Sequence, residues 1–307
     1  MRFQGTGRLP AFLGPTLRGG IGIHLKKAIC HRPSSDCTSC MLRTSCLYCY
    51  LFDGVAPPER DIMRLYPNIP QPFVIKAGCG HVLEVKPGTV LSFGLTLFGK
   101  AADQFPYMLY SLIKLGKAGL GSERIPFELV EVRQPGVTEP VYTLDGHCIG
   151  RLRPRPLYLD VDGLDTNLLI LEFVSPCRIR VDGTYARRPQ FAEIVKATIR
   201  RLSIFQAFYG EPIPEFRQRA LSLLDSTEVS LLQDQTHWYG FNRYSNRQAR
   251  SIPMGGIVGR MAFGGQIGPF LGLLKAAEIV HLGKATSFGF GQIRVATDEA
   301  ANGQGIA

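Results

Sequence analysis

The chain lacks any apolar run approaching the ~18 residues that a membrane-spanning helix needs. Its start, Met1-Arg-Phe-Gln, has none of the apolar core of a signal peptide. A cytoplasmic protein is expected. Charge is sparse as well: 20% of residues are charged against 45% hydrophobic. That balance excludes wholesale disorder, because such a chain can bury enough apolar surface to order itself. Acids are the scarcer sign, 25 Asp and Glu against 35 Lys and Arg, for a formal charge of +10. Affinity for a polyanion and poor tolerance of salt follow from that excess.

The common nucleotide-binding fingerprints are missing too. The segment His281 to Val295 holds Gly283, Lys284, Gly289 and Gly291 in a helix-to-strand turn. A Walker loop requires glycine where Glu278 stands and Ser or Thr where Ala285 stands. A dinucleotide fingerprint follows a strand and opens a helix, and this loop does the reverse. Two readings stay open for it. The glycines could line a concave anion nest beside Lys284, or they could form a tight turn into a last strand. An echo, Leu115-Gly-Lys-Ala-Gly-Leu-Gly121, follows an earlier apolar helix in the same order and implies two related halves.

At 307 residues the chain fits two domains of ordinary size, expected at 1–150 and 151–307. In the first, strands are expected over 1–9, 72–75, 83–98 with a turn at Pro87-Gly88, and 125–132. Helices are expected over 15–29 and 103–114. The buried arc of the first helix is Leu17, Ile21, Leu25, Ala28 and Ile29 at 100° per residue. In the second, strands fall at 168–174, 236–244, 256–263 and 292–295. A helix spans 189–209, and another is started by Pro269. Each half thus approximates β-α-β-β-α-β, an α+β class of two ferredoxin-like (RRM-like) domains in tandem. Lys196, Arg200 and Arg201 read as a solvated basic face of the 189–209 helix.

Eight cysteines in a chain with no secretory leader point to metal ligands or reduced core thiols rather than disulfides. Cys30, Cys37, Cys40, Cys46 and Cys49 are spaced C-x6-C-x2-C-x5-C-x2-C, a cysteine-rich insertion over 30–49. Tetrahedral structural zinc on Cys30, Cys37, Cys40 and Cys46 is the first expectation. An iron–sulfur cluster, or simple packing of reduced thiols, are the alternatives.

Arg243-Tyr-Ser-Asn-Arg-Gln-Ala-Arg250 follows Trp238 and Tyr239. Guanidinium forks bind phosphates and aromatics stack on bases, a mixture suited to single-stranded or hairpin RNA. A basic hairpin without a ligand is the alternative. On the first helix, Arg18 and His24 sit at the rim of the buried arc, and His31 and Arg32 stand just past its end. His24 reads more simply as a packed histidine; His31 is better placed to meet solvent or substrate, or to ligate metal.

Taken in order, Phe12-Leu-Gly-Pro-Thr-Leu-Arg-Gly-Gly-Ile-Gly22, Cys46-Leu-Tyr-Cys-Tyr-Leu-Phe52, Arg243 to Gln248, Met254-Gly-Gly-Ile-Val-Gly259 and Gly283 to Gly291 resemble CRISPR pre-crRNA-processing endoribonucleases of the RAMP superfamily. The similarity spans nearly the whole chain, and the cysteine-bearing first loop is similar to that of a subset of the family that includes type IV processing subunits. The resemblance implies two ferredoxin-like domains facing a positively charged cleft, binding of CRISPR repeat RNA, and one cut per repeat with no catalytic metal. In that chemistry the RNA's 2′-hydroxyl attacks the adjacent phosphorus, leaving a 2′,3′-cyclic phosphate and a 5′-hydroxyl. The resemblance passes the catalytic role to His31 and His24, with Arg18, Arg32 and Arg243 as charge stabilisers. Lys26 and Lys27 would hold RNA backbone, as would Arg243, Tyr244, Ser245, Arg247, Gln248, Arg250, Lys284 and Ser287. It also implies that the crRNA stays bound and joins other subunits of an effector complex. A crRNA-binding subunit that does not cleave is the main alternative, and a general nucleic-acid-binding protein the weaker one.

Overall fold

The computed structural model describes residues 1–33, 36–56, 68–78, 80–146, 150–158, 166–245 and 250–297. Arg247 and Gln248 lie outside these, and so does the side chain of Ser245. The chain divides into two units, Met1–Arg155 and Pro156–Ala307, each mixing helices and strands in an α+β architecture. Among the described residues no helix is long and apolar enough to cross a membrane.

The first unit runs β1 (Arg2–Phe3), β2 (Gly7–Leu9), α1 (Gly14–Ile29), β3 (Phe73–Lys76), β4 (Leu83–Val85), β5 (Gly94–Leu97), α2 (Phe105–Ala118), β6 (Phe127–Glu128), β7 (Glu131–Val132) and β8 (Tyr142–Thr143). All its ladders are antiparallel: β1 with β6, β2 with β4, β3 with β5, β7 with β8. The stretch from β4 to β5 serves three neighbours, pairing with β2 at its start, bridging β1 at Arg2 and Val90, and pairing with β3 further on. Its turn at Pro87-Gly88 has Gly88 at φ +88°, with the Gly88 amide donating to Phe3 O.

Pro15 opens α1, where its missing N–H costs nothing. Leu17, Ile21 and Leu25 are wholly buried, each stabilising the fold by about 1.5–3 kcal/mol. Ala28 is exposed rather than part of that arc, because it lies in the last turn, beyond the packed neighbours. A Cβ on Gly20 would stand 2.6 Å from the Leu115 side chain, so this glycine lets α1 and α2 approach closely. A 3₁₀ turn over Gly99–Gln104 precedes α2, and Pro106 then starts the helix two residues later than expected.

The second unit runs β9 (Leu168–Cys177), β10 (Arg180–Val181), β11 (Thr184–Tyr185), α3 (Phe191–Tyr209), α4 (Phe216–Asp225), β12 (Val229–Ser245), β13 (Arg250–Gly265), α5 (Gly268–Val280) and β14 (Ile293–Thr297). One four-stranded antiparallel sheet is ordered β12-β13-β9-β14. The start of α3 is set by a capping box, in which the Gln190 amide donates to Glu193 at 2.8 Å. Its buried stripe includes Phe191, Val195, Thr198, Leu202 and Phe205.

Two elements exceed the sequence expectation. The β12–β13 hairpin keeps its register from Val229↔Gly265 to Ser245↔Arg250, with one bulge between Leu231 and Gln233. The third strand, β9, accompanies β13 only from Gly264 to Ile257. Beyond that point the hairpin is a two-stranded extension, and Gly240, Pro253, Gly255 and Gly256 masked it in the sequence because they are poor strand formers. Arg201 is not on a solvated face. It is buried and donates to Val280 O and Thr286 Oγ1, capping the carbonyl end of α5 with positive charge.

Candidate nucleic-acid interface

The loop after α5 turns much of its backbone into the fold rather than outward. Five of its amides are spent there: Leu282 donates to Gly291 O, Lys284 to Arg178 O, Phe288 to Ala285 O, Gly289 to Thr286 O, and Gly291 to Pro176 O. An N–H satisfied internally cannot also point at a phosphate. Gly283 and Gly291 have φ of +80° and +70°, and a Cβ on either would fall 2.2 Å from Arg178 O or 1.8 Å from Leu282 O. The glycines therefore let the loop clamp onto the end of β9. Thr286 and Ser287 are buried inside it, so Ser287 is not available to RNA. The echo is also not equivalent. Leu115 to Ala118 form the last turn of α2, whereas Leu282 to Ala285 lie beyond α5.

What the loop offers outward is Lys284. Partial burial of its stem, then the guanidiniums of Arg200, Arg180 and Arg201, hold its ammonium below the usual lysine value. Arg180, Arg200 and Lys284 are exposed. Like charges gathered this way raise each other's energy, and an anion placed among them relieves it. Arg178 adds a guanidinium 4.9 Å from the Tyr185 ring centre and 5.2 Å from that of Phe290.

The arginine-rich strand end joins this surface. Arg243 lies 4.5 Å from the Phe288 ring centre, and Phe241 is 6.0 Å from Phe290. Partial burial lowers the Arg243 pKa from its ordinary value, yet a guanidinium keeps its charge near neutrality. Tyr244 is 63% exposed and Arg250 is exposed, while Arg187 covers the Trp238 ring at 5.0 Å. A guanidinium held against an aromatic ring is an oriented donor for phosphate oxygens, while the exposed rings offer faces to bases.

In the first unit, α1 brings His24 beside two lysines. It lies one turn beyond Gly20, where the helices touch, and partial burial followed by Lys27 and Lys114 lowers its pKa. Lys114 belongs to α2 and stands 5.1 Å from the exposed Tyr110 ring. Neither Lys114 nor Tyr110 was singled out in the sequence, and only the packing of α1 on α2 finds them. His31 and Arg32 are exposed past the end of α1. Lys27 is exposed, and Lys26 lies 5.5 Å from the Tyr48 ring centre. Arg18 does structural work, donating to Phe52 O at 3.1 Å with its guanidinium 5.3 Å from the Phe52 ring centre.

Phe52 belongs to a π-helical turn, Cys49–Asp53, closed by Gly54 at φ +60°. A Cβ on Gly54 would fall 2.1 Å from Ile69 O, so glycine is needed to seat the turn. The turn changes the cysteine reading. Ligand atoms of Cys37, Cys49 and Asp53 lie within 4.8 Å of one another, and Cys46 is a near neighbour of Cys49. Cys40 is exposed, and Cys30 caps the carbonyl end of α1 through its backbone. Of the four expected ligands, Cys37 is in the group, Cys46 adjoins it, and Cys30 and Cys40 are not among its members.

Comparison with known proteins follows this division. A family described as an N-terminal domain matches residues 1–156, and the family described as CRISPR-associated endoribonuclease Cas6 matches residues 171–293. An uncharacterised protein of Archaeoglobus fulgidus is 26% identical over 304 residues, covering 94% of this chain and 92% of that protein. A solved product complex of a Thermus thermophilus Cas6 is 14% identical, covering 96% of this chain and 97% of that one, with a TM-score of 0.54. A second Cas6 product complex is 18% identical over 96% and 97%, with a TM-score of 0.50. At those identities the likeness to the solved structures is one of fold.

Proposed function

We propose that the chain is a Cas6-like pre-crRNA-processing protein, which binds CRISPR repeat RNA and cuts it once per repeat without a catalytic metal ion. We read both units as ferredoxin-like. Support in the second is the element order β9-α3-β12-β13-α5-β14 with the sheet order β12-β13-β9-β14. In the first, it is the way β1 lies between β6 and the β4–β5 stretch, which in turn pairs with β3.

The observation that carries cleavage is His24. Held partly out of water beside Lys27 and Lys114, its imidazole is neutral at pH 7 and can accept the proton of a 2′-hydroxyl. The two ammonium groups stabilise the charge that develops on phosphorus as the hydroxyl attacks. The 5′-oxygen then leaves and takes a proton from water, while His24 returns its proton to solvent, giving a 2′,3′-cyclic phosphate and a 5′-hydroxyl. His31 and Arg32 remain second candidates on the same side of the sequence, past the helix end. Arg180, Arg200, Arg243, Tyr244, Arg250 and Lys284 hold the backbone and bases. The product stays bound in the cytoplasm and enters an effector complex with other CRISPR subunits.

Incubation with repeat RNA in EDTA tests this. Intact RNA, or products without cyclic phosphate ends, overturns it. A second reading, binding without cleavage, is favoured by one observation: Arg18, a charge stabiliser on the family resemblance, gives a guanidinium N–H to Phe52 O and lies against that ring. Tight repeat binding with no scission would establish that reading.

A further inference from the structure

We infer that the first unit holds one zinc ion on Cys37, Cys46, Cys49 and Asp53. The set differs from the one that cysteine spacing alone suggests, and it does not depend on whether the protein cleaves RNA. Cys49 and Asp53 stand at the two ends of the helical turn, and Cys46 precedes it by three residues. Cys37 reaches the same point from the preceding loop. Three of the four donor atoms already lie within 4.8 Å of one another, and the fourth thiol is a near neighbour of Cys49.

A tetrahedral ion with Zn–S near 2.3 Å and Zn–O near 2.0–2.2 Å sets its ligands roughly 3.5–3.8 Å apart. The three grouped atoms have to draw together, and the Cys46 thiol to close in on them, to reach that geometry. Three soft thiolates exclude calcium and magnesium, which take oxygen cages. Burial argues the same way. Cys49 is 1% exposed, with the Cys37 thiol and the Asp53 carboxylate grouped around it inside the fold.

The ion would fasten residue 37 to the turn at 49–53. That turn is fixed to α1 by the Arg18 bond to Phe52 O. The site is therefore a staple for the loop that carries His31 and Arg32 out of the helix.

Elemental analysis of the full chain, purified without chelator and reconstituted with zinc salt, should give one zinc per chain. Thiol modification with a mercurial should release it. Cys49→Ser and Cys46→Ser should lose the ion, and Asp53→Asn should weaken it on the order of tenfold or more in competition with a chromophoric chelator. Cys30→Ser and Cys40→Ser should keep it. Should the cysteine variants fail to fold, cobalt in the unaltered chain reads the same site, through strong visible absorption from tetrahedral thiolate coordination. Limited proteolysis should cut residues 30–53 faster in the stripped protein. A folded chain that takes up no zinc overturns the inference, as does iron with acid-labile sulfide. Loss of zinc in Cys30→Ser or Cys40→Ser with retention in Cys49→Ser overturns the ligand set alone.

Discussion

The guanidinium of Arg243 stands 4.5 Å from the centre of the Phe288 ring, tying the end of β12 to the loop after α5. Two segments 45 residues apart in the chain thus make one surface. The ring supplies orientation and the arginine supplies charge, and these can be separated. Arg243→Ala should weaken repeat RNA binding and reduce the slope of log affinity against log salt by about 0.7 for a single-stranded contact. Phe288→Ala should weaken binding by about 0.5–2 kcal/mol at unchanged slope, because it removes only the platform. Filter binding across a salt series measures both. Equal slopes for Arg243→Ala and the unaltered protein would show that Arg243 meets no phosphate.

Lys284 carries the outward charge of the same loop. Since partial burial, then Arg200, Arg180 and Arg201, lower its pKa, removing it relieves desolvation and repulsion in the free protein while deleting a phosphate contact. Lys284→Met should therefore leave thermal stability unchanged or slightly raised and cost about 0.7 in salt slope. Loss of stability together with an unchanged slope would mean that the ammonium is structural.

The contrast between Leu17 and Arg201 shows how much of this was legible. Leu17, Ile21 and Leu25 were readable as core because a helix repeats its buried face at a known interval. Arg201 obeys the same periodicity in α3, yet it is buried by partners 79 and 85 residues away, Val280 and Thr286, which no local pattern encodes. The cysteines behave alike. Spacing could nominate five thiols, but only the turn at Cys49–Asp53 decides which face inward, and it brings in a carboxylate that spacing ignores. The glycines of the last loop announced a special backbone. Whether their amides faced a ligand or the fold depended on β9, more than a hundred residues earlier.

That loop's role as a clamp yields a stability prediction. Gly291→Ala places a Cβ 1.8 Å from Leu282 O at φ +70°, and Gly283→Ala places one 2.2 Å from Arg178 O at φ +80°. Backbone strain alone costs on the order of 1–3 kcal/mol, and the clashes add to it. Both variants should lower the melting temperature, while Gly19→Ala, with nothing within 4 Å, should not. Calorimetry on the three variants checks the ranking. An unaltered melting point for Gly291→Ala would contradict the clamp.

The sharpest prediction concerns His24. A general base must be neutral to work, and this imidazole, depressed by burial, Lys27 and Lys114, sheds its proton at a lower pH than an ordinary histidine near 6.5. Single-turnover cleavage should then rise with pH through a midpoint below 6.5 and be level by pH 7. Lys114→Met removes one positive neighbour and lets the pKa climb back, so the acid limb should move to higher pH and the variant should lose most at pH 6. Lys27→Met should shift it the same way. His24→Ala should slow cleavage by roughly 10²–10⁴-fold with the acid limb abolished and RNA affinity little changed. Should His24→Ala cleave within twofold of the unaltered protein while His31→Ala does not, the base is His31, and the lysines beside His24 serve only to hold RNA.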